Sequence, residues 1–162
     1  TSIFINASAF LENIDYEKIT LEKLNKTLKI NLFPGIMLTK IFGKQMEKNG
    51  WGRIVHLSSI GVKYGGGRGT FCYSLSKHGL EFFPSKVKEW ARKNVLVNTV
   101  RVGATNTKIH NKLPYKNLKK RAKLIPMNRL ATVNEIANYI YFLASSKNTY
   151  ITNEVITISG GE

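Results

Sequence analysis

RIVHLSS at residues 53–59, a glycine-rich loop through Gly69, FCYSLSKHGLEFFPSKVKEWAR at residues 71–92 and VLVNTVRV at residues 95–102 decide the fold. The first and last read as short strands on either side of the loop and the helical segment. Between them Leu80, Phe83, Val87 and Trp90 recur at helical spacing, predicting a long helix from about Phe71 to Arg92 with a bend at Pro84, whose ring removes a backbone hydrogen bond to Leu80. Strand, helix and parallel strand make one unit of an α/β fold.

Working outward, the same alternation continues. Ser2–Asn6 (SIFIN) reads as a strand, and Thr20 caps a helix carrying Leu21, Leu24 and Leu28. Pro34-Gly35 interrupts that helix, which resumes through Ile41 to Met46 and stops at Asn49-Gly50. After Val102 comes a polar, Lys-rich connection. Thr132-Val133-Asn134-Glu135 then fits a capping box opening a helix with Ile136, Ile140 and Leu143 on one face. Glu154–Ile158 (EVITI) is the last strand, closed by Gly160-Gly161. One domain over residues 1–162 is expected, with a parallel sheet of four strands and an open edge.

Composition narrows the function classes. The net charge is +15, from 25 Lys and Arg against 10 Asp and Glu, but the basic residues are scattered apart from a cluster between Lys108 and Lys123. That pattern fits solvated faces first and an anionic or carrier-linked ligand second. No nucleic-acid motif is present, and aromatics interleave little with the cluster, so nucleic acid is not an expected partner. There is no run of about 18 apolar residues and no signal-peptide pattern, so neither a membrane span nor export is expected. The single cysteine, Cys72, reads as a packing residue and fits a cytoplasmic location. His56, His78 and His110 lack metal-ligand spacing and read as structural or surface residues; no metal site is expected.

Tyr73-Ser74-Leu75-Ser76-Lys77 sets a phenol and an ammonium on one face of a helix. A free tyrosine has a pKa of about 10, and a fixed positive charge nearby favours its phenolate. Alone this YxxxK spacing is weak, since most such pairs are surface residues. Ser59, however, ends a strand just upstream, where α/β sheets form ligand crevices. Asn31 lies earlier still, at the break between two helical segments.

In this order Asn31, Ser59, Tyr73 and Lys77 resemble the tetrad of the short-chain dehydrogenase/reductase family. Further segments extend the resemblance over essentially the whole chain. Ile5-Asn6-Ala7-Ser8 resembles NNAG, Gly52–Ser59 resembles GRIVNISS, and Val97–Gly103 resembles RVNxxxPG. Ile125–Arg129, Glu135-Ile136-Ala137, Phe142–Ser145 and Gly160-Gly161 follow the family's C-terminal third. The departures are Ile5 for the first Asn and Ser8 for the Gly of NNAG, Val102 for the Pro of PG, and Ser159 for the Asp before the last glycines. The loop from Ser59 to Tyr73 is also about one residue longer than the commonest family spacing.

The resemblance implies a Rossmann-type doubly wound parallel sheet, of which this chain holds family strands four to seven. It implies an NAD(P)-dependent oxidoreductase, NADP slightly preferred, that reduces a carbonyl or oxidises a secondary alcohol. Tyr73 is then the general acid or base, Ser59 bonds the substrate oxygen, Lys77 lowers the Tyr73 pKa and holds the nicotinamide ribose, and Asn31 positions a relay water. Asn6, Ala7, Tyr73, Lys77, Gly103 and Thr107 are the implied cofactor contacts. A homodimer or homotetramer is implied, and a lid over the cleft between about Lys108 and Lys123. The family's TGxxxGxG phosphate turn is not found in these residues, so a truncated sequence, inactive by itself, is expected. Two other classes stay open: a non-catalytic interaction module built on the same fold, and an anionic-surface binder using the net charge.

Overall fold

Strand and helix alternate along the chain in the computed structural model, which describes residues 1–112 and 117–162. The strands are β1 (Ile3–Asn6), β2 (Gly52–Ser59), β3 (Val95–Val102) and β4 (Val155–Ile158). The helices are α1 (Leu21–Asn31), α2 (Phe33–Asn49), α3 (Phe71–Gly79), α4 (Lys86–Ala91), α5 (Leu118–Lys123) and α6 (Val133–Ala144). The sheet is wholly parallel in the order β1-β2-β3-β4, with Ser59 at the end of β2 paired to Val102 at the end of β3. Successive residues of a strand face opposite sides, so each face carries its own core. Ile54, Val95 and Val97 meet Met46, Val87 and Trp90 on the side of α2 and α4. Val55 and Val100 meet Ile136, Ile140 and Leu143 of α6 on the other.

The long helix expected over residues 71–92 is two helices, and the reason is local. Pro84 has no N–H for the carbonyl of Leu80, and its ring crowds that carbonyl. The chain tightens instead: Leu80 N–H donates to Lys77 C=O at 3.2 Å and Glu81 N–H to His78 C=O at 2.9 Å. The released Leu80 carbonyl accepts from the Thr99 hydroxyl of β3 at 2.8 Å. A bend was expected; a break held by the sheet is what forms.

The earlier break also moves. It falls at Leu32, and Pro34 lies in the first turn of α2, where a missing N–H costs nothing. Other sequence signals stand as read. Thr20 accepts from Lys23 N–H at the start of α1, and Thr132 and Glu135 close a capping box on α6. Gly43 lets Trp90 lie flat on α2, for a Cβ there would come within 2.2 Å of the indole.

Arg53 is the least expected core residue. It is 1% exposed, and its guanidinium donates to the carbonyls of Gly52, Asn94 and Asn148 at 2.8 Å each and to that of Ser145 at 3.3 Å. It also stacks 4.6 Å from the Trp51 ring centre. Glu81 is similarly committed. Burial pushes its carboxyl up, but the hydrogen bonds of Arg101 and Ser58 and the Arg101 charge outweigh this and hold it low. Arg101 grips it through Nε at 2.8 Å and Nη2 at 2.6 Å, and the Ser58 hydroxyl donates to it at 2.6 Å. This network ties the end of α3 to both central strands.

Candidate active site

The C-terminal ends of β2 and β3 open into a cleft of about 890 Å³, within the size range of small-molecule and cofactor sites. Ser59, Tyr73 and Lys77 all line it, as do Ala7, Gly103 and Thr107. Six residues spread from position 7 to position 107 thus meet because the parallel strands all end on one side.

Ser59 has two tasks. Its hydroxyl oxygen accepts from Gly61 N–H at 3.2 Å, capping the turn that follows β2. The same hydroxyl shares a hydrogen bond with the phenol of Tyr73. Lys77 comes from the same helix as Tyr73, with its Nζ 5.8 Å from the Tyr73 ring centre. The ammonium donates to Ser8 C=O and Leu57 C=O at 2.8 Å each. Although Lys77 is only 2% exposed, these carbonyls leave donor capacity, since an ammonium has three N–H groups.

Electrostatics here differ from the sequence expectation. Burial pushes the Tyr73 phenol up to about 12, against the hydrogen bond from Ser59. Burial also pulls Lys77 down to about 8. Burial of the phenol dominates, with the Ser59 hydrogen bond as its counterweight, so the net shift runs opposite to the lowering that the sequence led one to expect. At neutral pH the site therefore presents a protonated phenol, suited to giving a proton.

Asn6 and Asn31 do not reach the cleft. Asn31 is fully buried; its amide accepts from Phe10 N–H at 2.6 Å and donates to Phe10 C=O at 2.8 Å and to Ser76 Oγ at 2.9 Å. Asn6 Oδ1 accepts from the Ser8 hydroxyl at 2.7 Å, and its Nδ2 faces His56 Nδ1 at 3.2 Å. Both asparagines brace the segment from Ala7 to Phe10, which carries the Ser8 carbonyl that Lys77 uses. They support the site from behind and do not line it.

Of the Lys-rich stretch, Leu113–Lys116 lie outside the described residues. Around them are a 3-10 turn at Lys108–Lys112 and α5. Ile109, His110, Arg121 and Leu124 line the cleft, Arg121 pairing with Glu162. Sequence reasoning missed Ser8, whose working atom is a backbone carbonyl, and Arg121, one cation among many. No group of three or more His, Cys, Asp or Glu able to hold a metal occurs among the described residues. Among them too, no helix is long and apolar enough to cross a membrane.

His56 fixes a pH dependence of the fold. Burial, and next the Lys77 charge, pull it from 6.5 to about 4. The folded protein thus keeps it neutral where the unfolded chain takes up a proton. Its stabilising share is complete above about pH 6.5 and is lost as pH falls toward 4, on the order of 3 kcal/mol in all. Urea unfolding at pH 7 and pH 4.5 should show this slope, and His56→Asn should flatten it. An equal slope in the variant would assign the loss to other groups.

Comparison with known proteins agrees with this geometry. A family model described as enoyl-(acyl carrier protein) reductase matches residues 1–162. The chain is 36% identical over 157 residues to a 3-oxoacyl-(acyl-carrier-protein) reductase of Buchnera aphidicola, covering 96% of this chain and 61% of that protein. It is 36% identical over 160 residues to the reductase of the same name from Aquifex aeolicus, covering 98% and 64%. The chain therefore spans a little under two thirds of the length of these relatives. Among solved structures, ElxO with NADP bound superposes with a TM-score of 0.86 at 26% identity, covering 99% of this chain and 66% of that one. A solved structure from Agrobacterium tumefaciens reaches a TM-score of 0.90 at 20% identity, covering 99% and 64%, and speaks to the Rossmann-type fold alone. With the whole sequence matched and the fold shared, this chain belongs to the short-chain dehydrogenase/reductase family and is similar to its 3-oxoacyl-(acyl-carrier-protein) reductases.

Proposed function

We propose that the protein to which this chain belongs is an NAD(P)-dependent oxidoreductase that reduces a carbonyl group, with Tyr73 as general acid. The observation that carries this reading is the meeting of Ser59, Tyr73 and Lys77 in one cleft at the strand ends. Tyr73 donates its proton to the carbonyl oxygen as charge gathers there, and Ser59 donates a hydrogen bond to the same oxygen. Lys77, anchored on Ser8 and Leu57, offers its remaining N–H to the cleft. A nicotinamide dinucleotide, when bound, supplies the hydride in reduction and takes it in oxidation. Lys77, Thr107, Ala7 and Gly103 are the cleft residues proposed to hold it, with Asn6 and Asn31 as positioning residues. The phenol's high pKa favours reduction at neutral pH; oxidation needs phenolate and is expected to quicken as pH rises.

The substrate class proposed is a carrier-linked 3-oxoacyl thioester, following the names of the relatives and the apolar wall of Ile60, Ile109 and Leu124. Purified whole protein is tested for NADPH oxidation that depends on an added 3-oxoacyl thioester. No carbonyl-dependent oxidation with any nicotinamide cofactor would sink the reading. Where the substrate is anionic, added salt should raise the apparent KM; a KM unchanged between low and high salt would assign the +15 charge to solvated faces.

A second copy of the chain is the proposed partner of the α1–α3 side. Ile36, Met37 and Ile41 of α2 are more than half exposed, and Phe82 beyond α3 is 88% exposed, an apolar surface of the kind that oligomers cover. Sedimentation at micromolar concentration is expected to show a dimer or tetramer, and Phe82→Lys to shift it toward monomer. A monomeric wild type would remove this part of the proposal.

A further inference from the structure

Behind the cleft, a line of buried polar groups runs from α2 to the Lys77 ammonium. Thr39 Oγ1 lies 3.0 Å from His56 Nε2, and His56 Nδ1 lies 3.2 Å from Asn6 Nδ2. Asn6 Oδ1 accepts from the Ser8 hydroxyl at 2.7 Å and from Ser8 N–H at 3.3 Å. Ser8 C=O then accepts from Lys77 at 2.8 Å.

This connectivity selects one tautomer. Ser8 gives both its donors to the Asn6 oxygen, so the Asn6 NH2 must face the imidazole. His56 Nδ1 is therefore the acceptor, and its Nε2–H donates to Thr39. α2 passes close to this amide at Gly35, where a Cβ would come within 2.4 Å of Asn6 Nδ2. Phe4 sets its ring edge-to-face on the imidazole at 6.1 Å. The imidazole stays neutral here, which the acceptor role at Nδ1 requires.

We infer that His56 is a positioning residue for the reaction: through Asn6 it fixes the Ser8 carbonyl on Lys77 and so sets the ammonium in the cleft. The inference rests on the reading of Lys77 as part of the reaction. Because the Lys77 charge also acts on the imidazole directly, the line through Asn6 is told from a direct effect by His56→Asn, which removes the ring and keeps an acceptor for Asn6.

The test is NMR of the whole protein with 15Nζ- and 13Cε-labelled lysine, the Lys77 signals assigned by Lys77→Arg. In His56→Leu the acceptor for Asn6 is lost and the Ser8 carbonyl drifts. Losing one of two hydrogen bonds to the ammonium is expected to make Lys77 about tenfold more acidic. His56→Asn puts an amide oxygen where Nδ1 stood and should restore wild-type titration. Equal Lys77 titration in wild type and His56→Leu, or failed restoration by His56→Asn, would overturn the inference. If His56→Leu does not fold, Thr39→Val takes its place. Without the Thr39 acceptor the ring is expected to populate the Nδ1–H tautomer, visible in its 15N shifts, with Lys77 again more acidic; an unchanged tautomer and titration would overturn it. Carbonyl-dependent turnover is measured alongside. A shifted Lys77 in a protein without turnover keeps the hydrogen-bonded line and removes the oxidoreductase reading instead.

Discussion

Tyr73→Phe is expected to lower carbonyl-dependent turnover of the whole protein by about a thousandfold or more, because in the proposed mechanism proton donation and charge stabilisation both pass through that one oxygen. The fold should survive. The ring remains, and the hydroxyl's protein partner, Ser59, keeps its bond from Gly61 N–H. Cofactor affinity should change little, since Lys77 keeps its anchors on Ser8 and Leu57. The pattern to look for is therefore a collapse of kcat with a nearly unchanged cofactor dissociation constant and unfolding midpoint. Activity within tenfold of wild type would assign the proton to another group. The pH profile adds a sign. Reduction by the wild type should hold level through neutral pH and decline only as Lys77, at about 8, loses its charge.

The second large effect is on stability. Arg53→Met is expected to cost on the order of 4 kcal/mol, since it leaves the carbonyls of Gly52, Asn94, Ser145 and Asn148 short of a donor, and bonds to a charged group contribute about 1.5–3 kcal/mol each without adding in full. Those carbonyls come from the start of β2, the turn before β3 and the segment after α6, so one side chain ties three parts of the chain. Arg53→Lys should recover little, because an ammonium cannot spread to that set. Arg129→Ala is the control: it removes an exposed, solvent-screened pair with Glu135 and should shift the unfolding midpoint far less than Arg53→Met does. Urea unfolding of the three variants decides the matter, and a loss below about 1 kcal/mol in Arg53→Met would show that water replaces the guanidinium.

Local physics made much of the fold legible in the sequence. The run at 95–102 is a strand because its β-branched residues, Val95, Val97, Thr99, Val100 and Val102, suit a pleated, buried surface. Thr132 and Glu135 announce α6 because their side chains satisfy donors within one turn. Tyr73 and Lys77 share a helix face by spacing alone. Pro84 marked a disturbance, but its size depended on Thr99, a β3 residue ready to take the Leu80 carbonyl.

What the tertiary structure decided involves partners far apart in the chain or atoms that carry no side-chain signal. Ser8 matters through its carbonyl, which every residue has. His56, read as structural, gained a candidate role only when Asn6 and Thr39 met it across the sheet and α2. Arg53, one cation of 25 in the sequence, became a core residue because three chain segments aim carbonyls at one point. Tyr73 shows the same division. Its place on the helix follows from sequence, whereas its high pKa follows from burial, which only the packed structure sets.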